Sequence, residues 1–383
     1  LLMDGRAVSY RELDALMDRV AAALQRDGVT VGESVAICAN TSIEYVLAFT
    51  GALRAGVVVA PLAPSSTPDA LALMVRDCGA RILFLDAENA EALAPVRDQI
   101  GARVIALDGH DFTAWLAPDG VKPKPVDISS EHPFNIIYSS GTTGAPKGIV
   151  QGHGMRHGHV MRAEPMGYGP NAVTLFSTPL YSNTTLVSFF PTLALGGAAV
   201  LVKKFDAGKF LELSQRHRVT HAMLVPVQYQ RIMARPDFDS YDLSSFVAKF
   251  CTSAPFSGAL KADILKRWPG GLVEYFGMTE GGGTCVLFAH LFPEKLHTVG
   301  QPAPEHDIRV IDEDGRELPR GEVGEIVGRS PLMMNGYHNR AEQTAAALWT
   351  SPEGLSFVRT GDVGRFDADG FLELMDRKKD MII

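Results

Sequence analysis

Cysteine is nearly missing from this chain. Its 383 residues hold four, Cys38, Cys78, Cys251 and Cys285, far apart and without a CxxC step, which excludes a disulfide framework and a thiolate zinc site. They read as reduced, buried thiols of a cytoplasmic protein. Positive charge is in deficit too: 36 Lys and Arg face 44 Asp and Glu, a formal net charge of −8. The basic footprint of a nucleic-acid binder is therefore absent. No apolar run approaches the roughly 20 residues of a membrane span; the longest, 55–62 and 193–202, are strand-sized and broken by Gly or Pro. Residues 1–6 carry neither a signal-peptide pattern nor an initiator context, so further residues are expected ahead of Leu1. The one histidine cluster, His153, His157 and His159, has no cysteine beside it and no HExxH pattern, unlike a metal site.

What is present is a βα rhythm. The chain is 46% hydrophobic and 21% charged, ordinary for a globular protein, and too long for one compact core. Leu13, Leu16, Val20, Ala23 and Leu24 recur at helical spacing across Tyr10–Arg26. Strands are expected at 34–38, 57–61 and 82–85, with helices over 43–54 and 68–78 between them. After a Pro- and Lys-bearing connector (118–133) the rhythm resumes, with strands at 134–138, 173–177, 198–202, 221–225 and 249–252. From about residue 302 the pattern changes to short strands (308–311, 325–327, 363–366, 371–375) with Asp-Gly turns at 312–315 and 367–370. The expected fold is α/β: two helix-covered, mostly parallel sheet subdomains (1–126 and 127–301), then a small β-rich subdomain (302–375) and a hinge (376–383).

The segment Tyr138-Ser139-Ser140-Gly141-Thr142-Thr143-Gly144-Ala145-Pro146-Lys147-Gly148 follows a strand directly. Glycines let the backbone curl so that its N–H groups face a phosphate, hydroxyls add donors, and Lys147 adds positive charge. It is not a Walker A motif, because GxxxxGK[ST] is not matched.

This segment resembles the phosphate loop of the acyl-activating superfamily: acyl-CoA synthetases, nonribosomal-peptide adenylation domains and firefly-type luciferases. Three further segments fit in order. Glu274-Tyr275-Phe276-Gly277-Met278-Thr279-Glu280 resembles the aromatic-Gly-x-Thr-Glu motif, Arg359-Thr360-Gly361-Asp362 the Thr-Gly-Asp motif, and Asp376-Arg377-Lys378-Lys379-Asp380 the hinge, with Asp380 as its pivot. Residues 321–328 and Asn335-Gly336-Tyr337 fit the stretch between. The resemblance implies that Ser139 to Gly144 and Lys147 cradle ATP phosphates and that Phe276 stacks on adenine. Ser253, Ala254 and Pro255 would cover its other face. Thr279 would donate to the α-phosphate, Glu280 with Thr142 would hold Mg²⁺, Asp362 would accept the ribose hydroxyls, and Arg377 would touch ribose or phosphate. Lys147, Thr279 and Glu280 would be the catalytic groups.

Adenylation suits such a site. A carboxylate, with a pKa of roughly 4, is already charged at neutral pH, so attack on the α-phosphorus needs orientation and charge neutralisation rather than a general base. The resemblance places the acid near His153, Tyr181, Asn183 and Gly281. No aspartate occurs in 179–185, which argues against α-amino acids, and Ser182 stands where many relatives have His. The hinge form favours an aliphatic acid; Gly281-Gly282-Gly283 either opens room for an aromatic one or makes a plain turn. Expected small-molecule partners are a medium- or long-chain fatty or aromatic acid and coenzyme A, with no membrane span and with a homodimer allowed. The family continues about a hundred residues past the hinge into a mobile lid that supplies a lysine and the CoA tunnel. Three outcomes stay open: an acyl-CoA ligase, an enzyme that hands the acyl group to a carrier protein, and a lidless binding module without turnover.

Overall fold

The computed structural model describes residues 1–139 and 146–377. The phosphate-loop residues Ser140, Gly141, Thr142, Thr143 and Gly144 and the hinge residue Asp380 lie outside the described residues.

The opening helix, Tyr10–Arg26, starts on a reciprocal cap: the Ser9 hydroxyl accepts from the Glu12 N–H, and the Glu12 carboxylate accepts from the Ser9 N–H. That arrangement satisfies two end donors at once. Its buried stripe, including Leu13, Val20 and Leu24, lies against the helix Ile43–Arg54. A Cβ at Gly51 would stand 2.4 Å from the Cβ of Val20, so the two helices meet at a distance that only glycine permits. The strand Ser34–Cys38 is buried throughout, as a central parallel strand covered on both faces must be.

Among the described residues one sheet runs in the order Gly336–Tyr337, Lys147–Gly152, Pro133–Ser139, Val58–Pro61, Ser34–Cys38, Ala80–Leu85, Arg103–Ala106. A second runs Gln301–Pro302, Thr284–Phe288, Gly271–Gly277, Ala248–Cys251, His221–Leu224, Val173–Phe176, Ala198–Leu201, Leu2–Met3, Arg6–Ala7. The expected α/β class with two mostly parallel sheets is what the structure has, and a third, antiparallel sheet (Asp307–Ile311, Gly324–Arg329, Ser356–Phe366, Leu348–Thr350, with Leu372–Arg377) closes it.

Sheet membership departs from the division at residue 126. Strands 133–139 and 147–152 join the first sheet, beside Val58–Pro61, while residues 2–7 join the second. Hydrophobic period tells that a strand is buried, not which sheet buries it. The two sheets also share a core: Val35 and Ile37 of the first cluster with Phe49 of Ile43–Arg54 and with Phe189 and Leu201 of the second unit. The 312–315 turn returns the chain for one bridge only, Ile311 to Glu317. Asp307–Ile311 and Gly324–Arg329 do pair, but through a longer connection, because Pro319 has no N–H to continue a ladder.

Candidate functional site

The described flanks of the segment 138–148 lie in two antiparallel strands. Pro133–Ser139 and Lys147–Gly152 pair along their lengths, ending on Ser139 opposite Lys147, so these two candidates flank the loop from both sides. The hairpin is anchored from outside: the Tyr138 hydroxyl donates to Asp77 at 2.7 Å, and Arg340 donates to the other Asp77 oxygen at 2.7 Å. Burial holds the Tyr138 hydroxyl well above its ordinary pKa, so it stays a donor.

Glu280 is brought to this hairpin by a third segment. The strand Gly336–Tyr337 pairs with Lys147–Gly152, setting Tyr337 opposite Ile149. From there the Tyr337 hydroxyl donates to Glu280 Oε1 at 2.9 Å, and Lys147 Nζ stands 5.4 Å from the centre of the Tyr337 ring. Backbone bonds lock the arrangement: Met334 N–H to Glu280 O at 2.8 Å and His338 N–H to Gly148 O at 2.7 Å. Gln151 Nε2 donates to Thr279 O at 2.8 Å. Thr279 and Glu280, more than 130 residues after Lys147 in sequence, therefore meet the hairpin that carries it. Burial first, then the charge and hydrogen bond of Glu280, raise the Tyr337 pKa; the phenol stays protonated and keeps donating.

A hard carboxylate oxygen tied through Tyr337 to the hairpin that bears Lys147 fits Mg²⁺ shared with phosphates. Among the described residues no three His, Cys, Asp or Glu side chains gather into a cage, and Mg²⁺ characteristically takes one or two carboxylates and completes its shell with phosphate and water.

In the segment expected to meet adenine, alternation along Gly271–Gly277 separates neighbours. Tyr275 stacks on Phe250, with ring centres 5.9 Å apart. Phe276 packs from the opposite face beside Cys285, Ile308 and Leu372 and is half-buried, leaving part of its ring for another flat group. Gly277 is exposed and Met278 half-buried. Ser253, Ala254 and Pro255 are exposed. Ser253 takes φ +81°, a left-handed backbone that costs a non-glycine residue about 1–3 kcal/mol and gathers at functional sites. Its hydroxyl meets the Thr184 hydroxyl at 2.6 Å, joining the 253–255 loop to the helix Asn183–Ala194. Asp362 sits on a bulge: Glu325 pairs with Val363 and Val327 with Arg359, so three residues oppose Ile326 alone. Gly361, at φ +72°, makes that possible. Arg377 lies directly across from Asp362 in the adjoining strand. Glu274 is placed differently from its neighbours. Its carboxylate is buried in an ion pair with Lys261, and burial pushes its pKa up to about 7.

Of the residues expected near the acid, Tyr181 and Asn183 are half-buried at the start of the helix Asn183–Ala194. His153 begins the helix His153–Met161, six residues from Lys147, or about 20 Å at strand rise. Its ring packs edge-on against Phe134 at 4.9 Å, and burial followed by the charge of His132 lowers its pKa. The structure thus does not bring His153 to the Lys147–Glu280 end. The glycine run is not open space. A Cβ at Gly281 would stand 1.9 Å from Leu332 O, at Gly282 2.4 Å from Val358 Cβ, and at Gly283 3.0 Å from Ile308 Cγ1. The third sheet and the Ser330–Leu332 segment fill the room a side chain would need, so the triplet serves close packing and Gly281 can offer a ligand only its backbone.

A sequence profile of the family described as "AMP-binding enzyme" matches residues 1–338. The chain belongs to this family. Among proteins of known activity, a feruloyl-CoA synthase of Amycolatopsis sp is 33% identical over 99% of this chain and 75% of its own length. A fatty acid–[acyl-carrier-protein] ligase of Streptomyces coeruleorubidus is 29% identical over 100% and 75%. The ATP-bound structure of MatB from Rhodopseudomonas palustris superposes with TM-score 0.88 at 28% identity, covering 100% of this chain and 76% of that one. This AMP-binding enzyme is accordingly an adenylate-forming acid ligase by family, and no helix among its described residues is long and apolar enough to cross a membrane.

Three residues of this AMP-binding enzyme carried no sequence role: Tyr337, Gln151 and Arg156. Gln151 was detectable in principle, as a lone polar residue in the buried run 148–152. Tyr337 lay inside a matched stretch, but its partner is 57 positions away. Tyr337→Phe should raise the Mg²⁺ concentration for half-maximal pyrophosphate release about tenfold, the worth of one hydrogen bond to a charged group. A magnesium titration of the purified variant checks this; an unchanged midpoint would remove Tyr337 from the site.

Proposed function

We propose that this enzyme activates a carboxylic acid with ATP and Mg²⁺ and passes the acyl group to coenzyme A in the cytoplasm, the acid being aromatic or a medium- to long-chain aliphatic one. The observation that carries the reading is the convergence of Lys147, Thr279 and Glu280 on the phosphate hairpin through Tyr337 and Gln151. A carboxylate oxygen attacks the α-phosphorus, the bond to the β-phosphate oxygen breaks, and pyrophosphate leaves; no proton moves. Mg²⁺, when bound at Glu280, neutralises phosphate charge. Lys147 and the hairpin loop hold the phosphates, Thr279 lies beside the α-phosphate, and Phe276, Ser253 to Pro255, Asp362 and Arg377 hold the nucleoside. A thiol then attacks the acyl carbon and AMP departs.

The likeness to feruloyl-CoA synthase supports an aromatic acid and CoA. The carrier-protein ligase supports a second reading, in which the thiol belongs to an acyl carrier protein. Pyrophosphate release from ATP, measured on full-length protein against a panel of aromatic and aliphatic acids, tests the first half-reaction. Thioester formation with free CoA against carrier protein separates the acceptors. Absence of pyrophosphate with every acid would refute the proposal.

A further inference from the structure

Arg156 carries a buried charge that no acid among the described residues balances. The residue is 3% exposed in the first half of the helix His153–Met161, where the helix dipole already disfavours a cation. Its Nε and Nη2 donate to Asn135 Oδ1 at 3.2 and 3.1 Å, and Nη2 also reaches Gln151 Oε1 and, at 2.7 Å, Asn183 Oδ1. Every one of those acceptors is a neutral amide. Nη1 is buried and has no hydrogen-bond partner among the described residues, and the guanidinium carbon lies 5.7 Å from the centre of the Phe134 ring. Buried guanidinium groups are ordinarily paired with carboxylates, because an uncompensated charge costs several kcal/mol of lost hydration.

The same helix face continues the shortage. His159, three residues on, is half-buried with its Nδ1 enclosed and unpartnered. Arg162, three further, donates toward His306 Nε2 while the Thr284 N–H donates to His306 Nδ1 at 2.8 Å. A neutral imidazole has one acceptor nitrogen, so two donors compete for it. The acid paired with this face among the described residues is Glu305, 3.5 Å from Arg162 and exposed. The cluster is short of acceptor oxygens, and it adjoins Asn183, the first residue of the helix Asn183–Ala194.

We infer that Arg156, with His159 and Arg162, forms a subsite for a second anionic group on the acid being activated, so that the preferred substrates are acids carrying a distal carboxylate. The inference rests on the adenylation reading and narrows its substrate. The reacting carboxylate belongs beside Thr279. Arg156 stands one side chain further off, since Gln151 spans the gap from Arg156 to Thr279 O; it therefore faces the far end of the acid. A plain fatty chain there would leave the guanidinium desolvated and unmatched, and a neutral hydroxyl would fill an acceptor vacancy without balancing the charge.

The test is kcat/KM for pyrophosphate release on full-length protein with matched acids: octanoate against octanedioate, and cinnamate against 4-carboxycinnamate and 4-hydroxycinnamate. The dianionic member should be favoured at least about tenfold in each set, the step expected of one charge-assisted hydrogen bond gained. Arg156→Met should bring that ratio to about one, while Arg156→Lys, which keeps the charge, should retain part of it. Equal or better use of the unsubstituted or hydroxylated acid by the wild type would overturn the inference while leaving adenylation standing, and it needs no variant to fold. A preference that survived in Arg156→Met would also overturn it. No pyrophosphate with any acid would strike the adenylation reading itself.

Discussion

Glutamine in place of Glu280 is expected to slow ATP-dependent pyrophosphate release by about 10²- to 10³-fold, the usual cost of removing one preorganised group that answers charge in a transition state. The substitution isolates the charge. Glutamine has the same length, its amide oxygen can still accept from Tyr337, and the bond from Met334 N–H goes to the Glu280 backbone oxygen, which any side chain keeps. The anchoring of the segment to the hairpin should survive, and the thermal midpoint should move little. What is lost is the hard anionic oxygen that Tyr337 ties to the hairpin bearing Lys147. Saturating the variant with Mg²⁺ should recover part of the rate, because weaker metal affinity is one component of the loss. Activity within threefold of wild type at low Mg²⁺ would mean that the metal is held elsewhere. Glu280→Gln and Tyr337→Phe should also be less than additive, since both act on the same carboxylate.

How much of this was legible in the sequence depends on whether the signal is local. The helix Tyr10–Arg26 was, because both its stripe of apolar residues and its Ser9–Glu12 cap lie within a few positions. Most of the strands that were expected lie within a few residues of where the structure has them, but Arg103–Ala106, Lys147–Gly152, Gly271–Gly277, Thr284–Phe288 and Leu348–Thr350 were not expected. Sheet membership was not legible: nothing in residues 133–152 says that they pair beside Val58–Pro61 rather than beside Val173–Phe176. The glycines at 281–283 show the limit from another side. A run of small residues reads equally as space or as contact, and only the positions of Leu332, Val358 and Ile308 decide for contact. At the site, the motifs gave residue types and order, while the connections among them (Tyr337 to Glu280, Gln151 to Thr279, Thr184 to Ser253) come from side chains with no regular spacing. Arg156 is the sharpest case. An arginine among polar residues of a helix suggests a solvated face, and burial reverses that reading.

The pair Lys261–Glu274 supplies the largest expected effect on stability, and it also decides what Glu274 is for. Their side chains are 1% and 5% exposed, and Lys261 Nζ donates in addition to Leu296 O at 2.9 Å and Thr298 O at 3.0 Å. Lys261→Met leaves a carboxyl group and two carbonyls buried without their donor, at a cost of about 3–5 kcal/mol near pH 8. The cost should depend on pH. Burial already holds Glu274 at about 7, above its ordinary 4.5, and Lys261 is what pulls it down; without the lysine it rises further. A carboxyl whose folded pKa exceeds its unfolded one binds its proton more tightly in the native state. Its stabilising contribution is therefore full below pH 4.5 and lost as pH climbs through the folded pKa. The variant should come closest to wild type near pH 5 and fall furthest behind at pH 8, as urea unfolding at the two values would show; a pH-independent deficit would exclude Glu274 as its source. Lys261→Met with Glu274→Leu should recover the share of the loss that comes from the unpaired carboxyl, because apolar residues of similar size replace buried ion pairs at little cost, while the share from the Leu296 and Thr298 carbonyls stays. That double variant then separates the two roles of Glu274. If the carboxylate only anchors the strand leading to Phe276 and Glu280, ATP affinity returns with stability; if it also touches the nucleotide, a stable double variant will still bind ATP weakly.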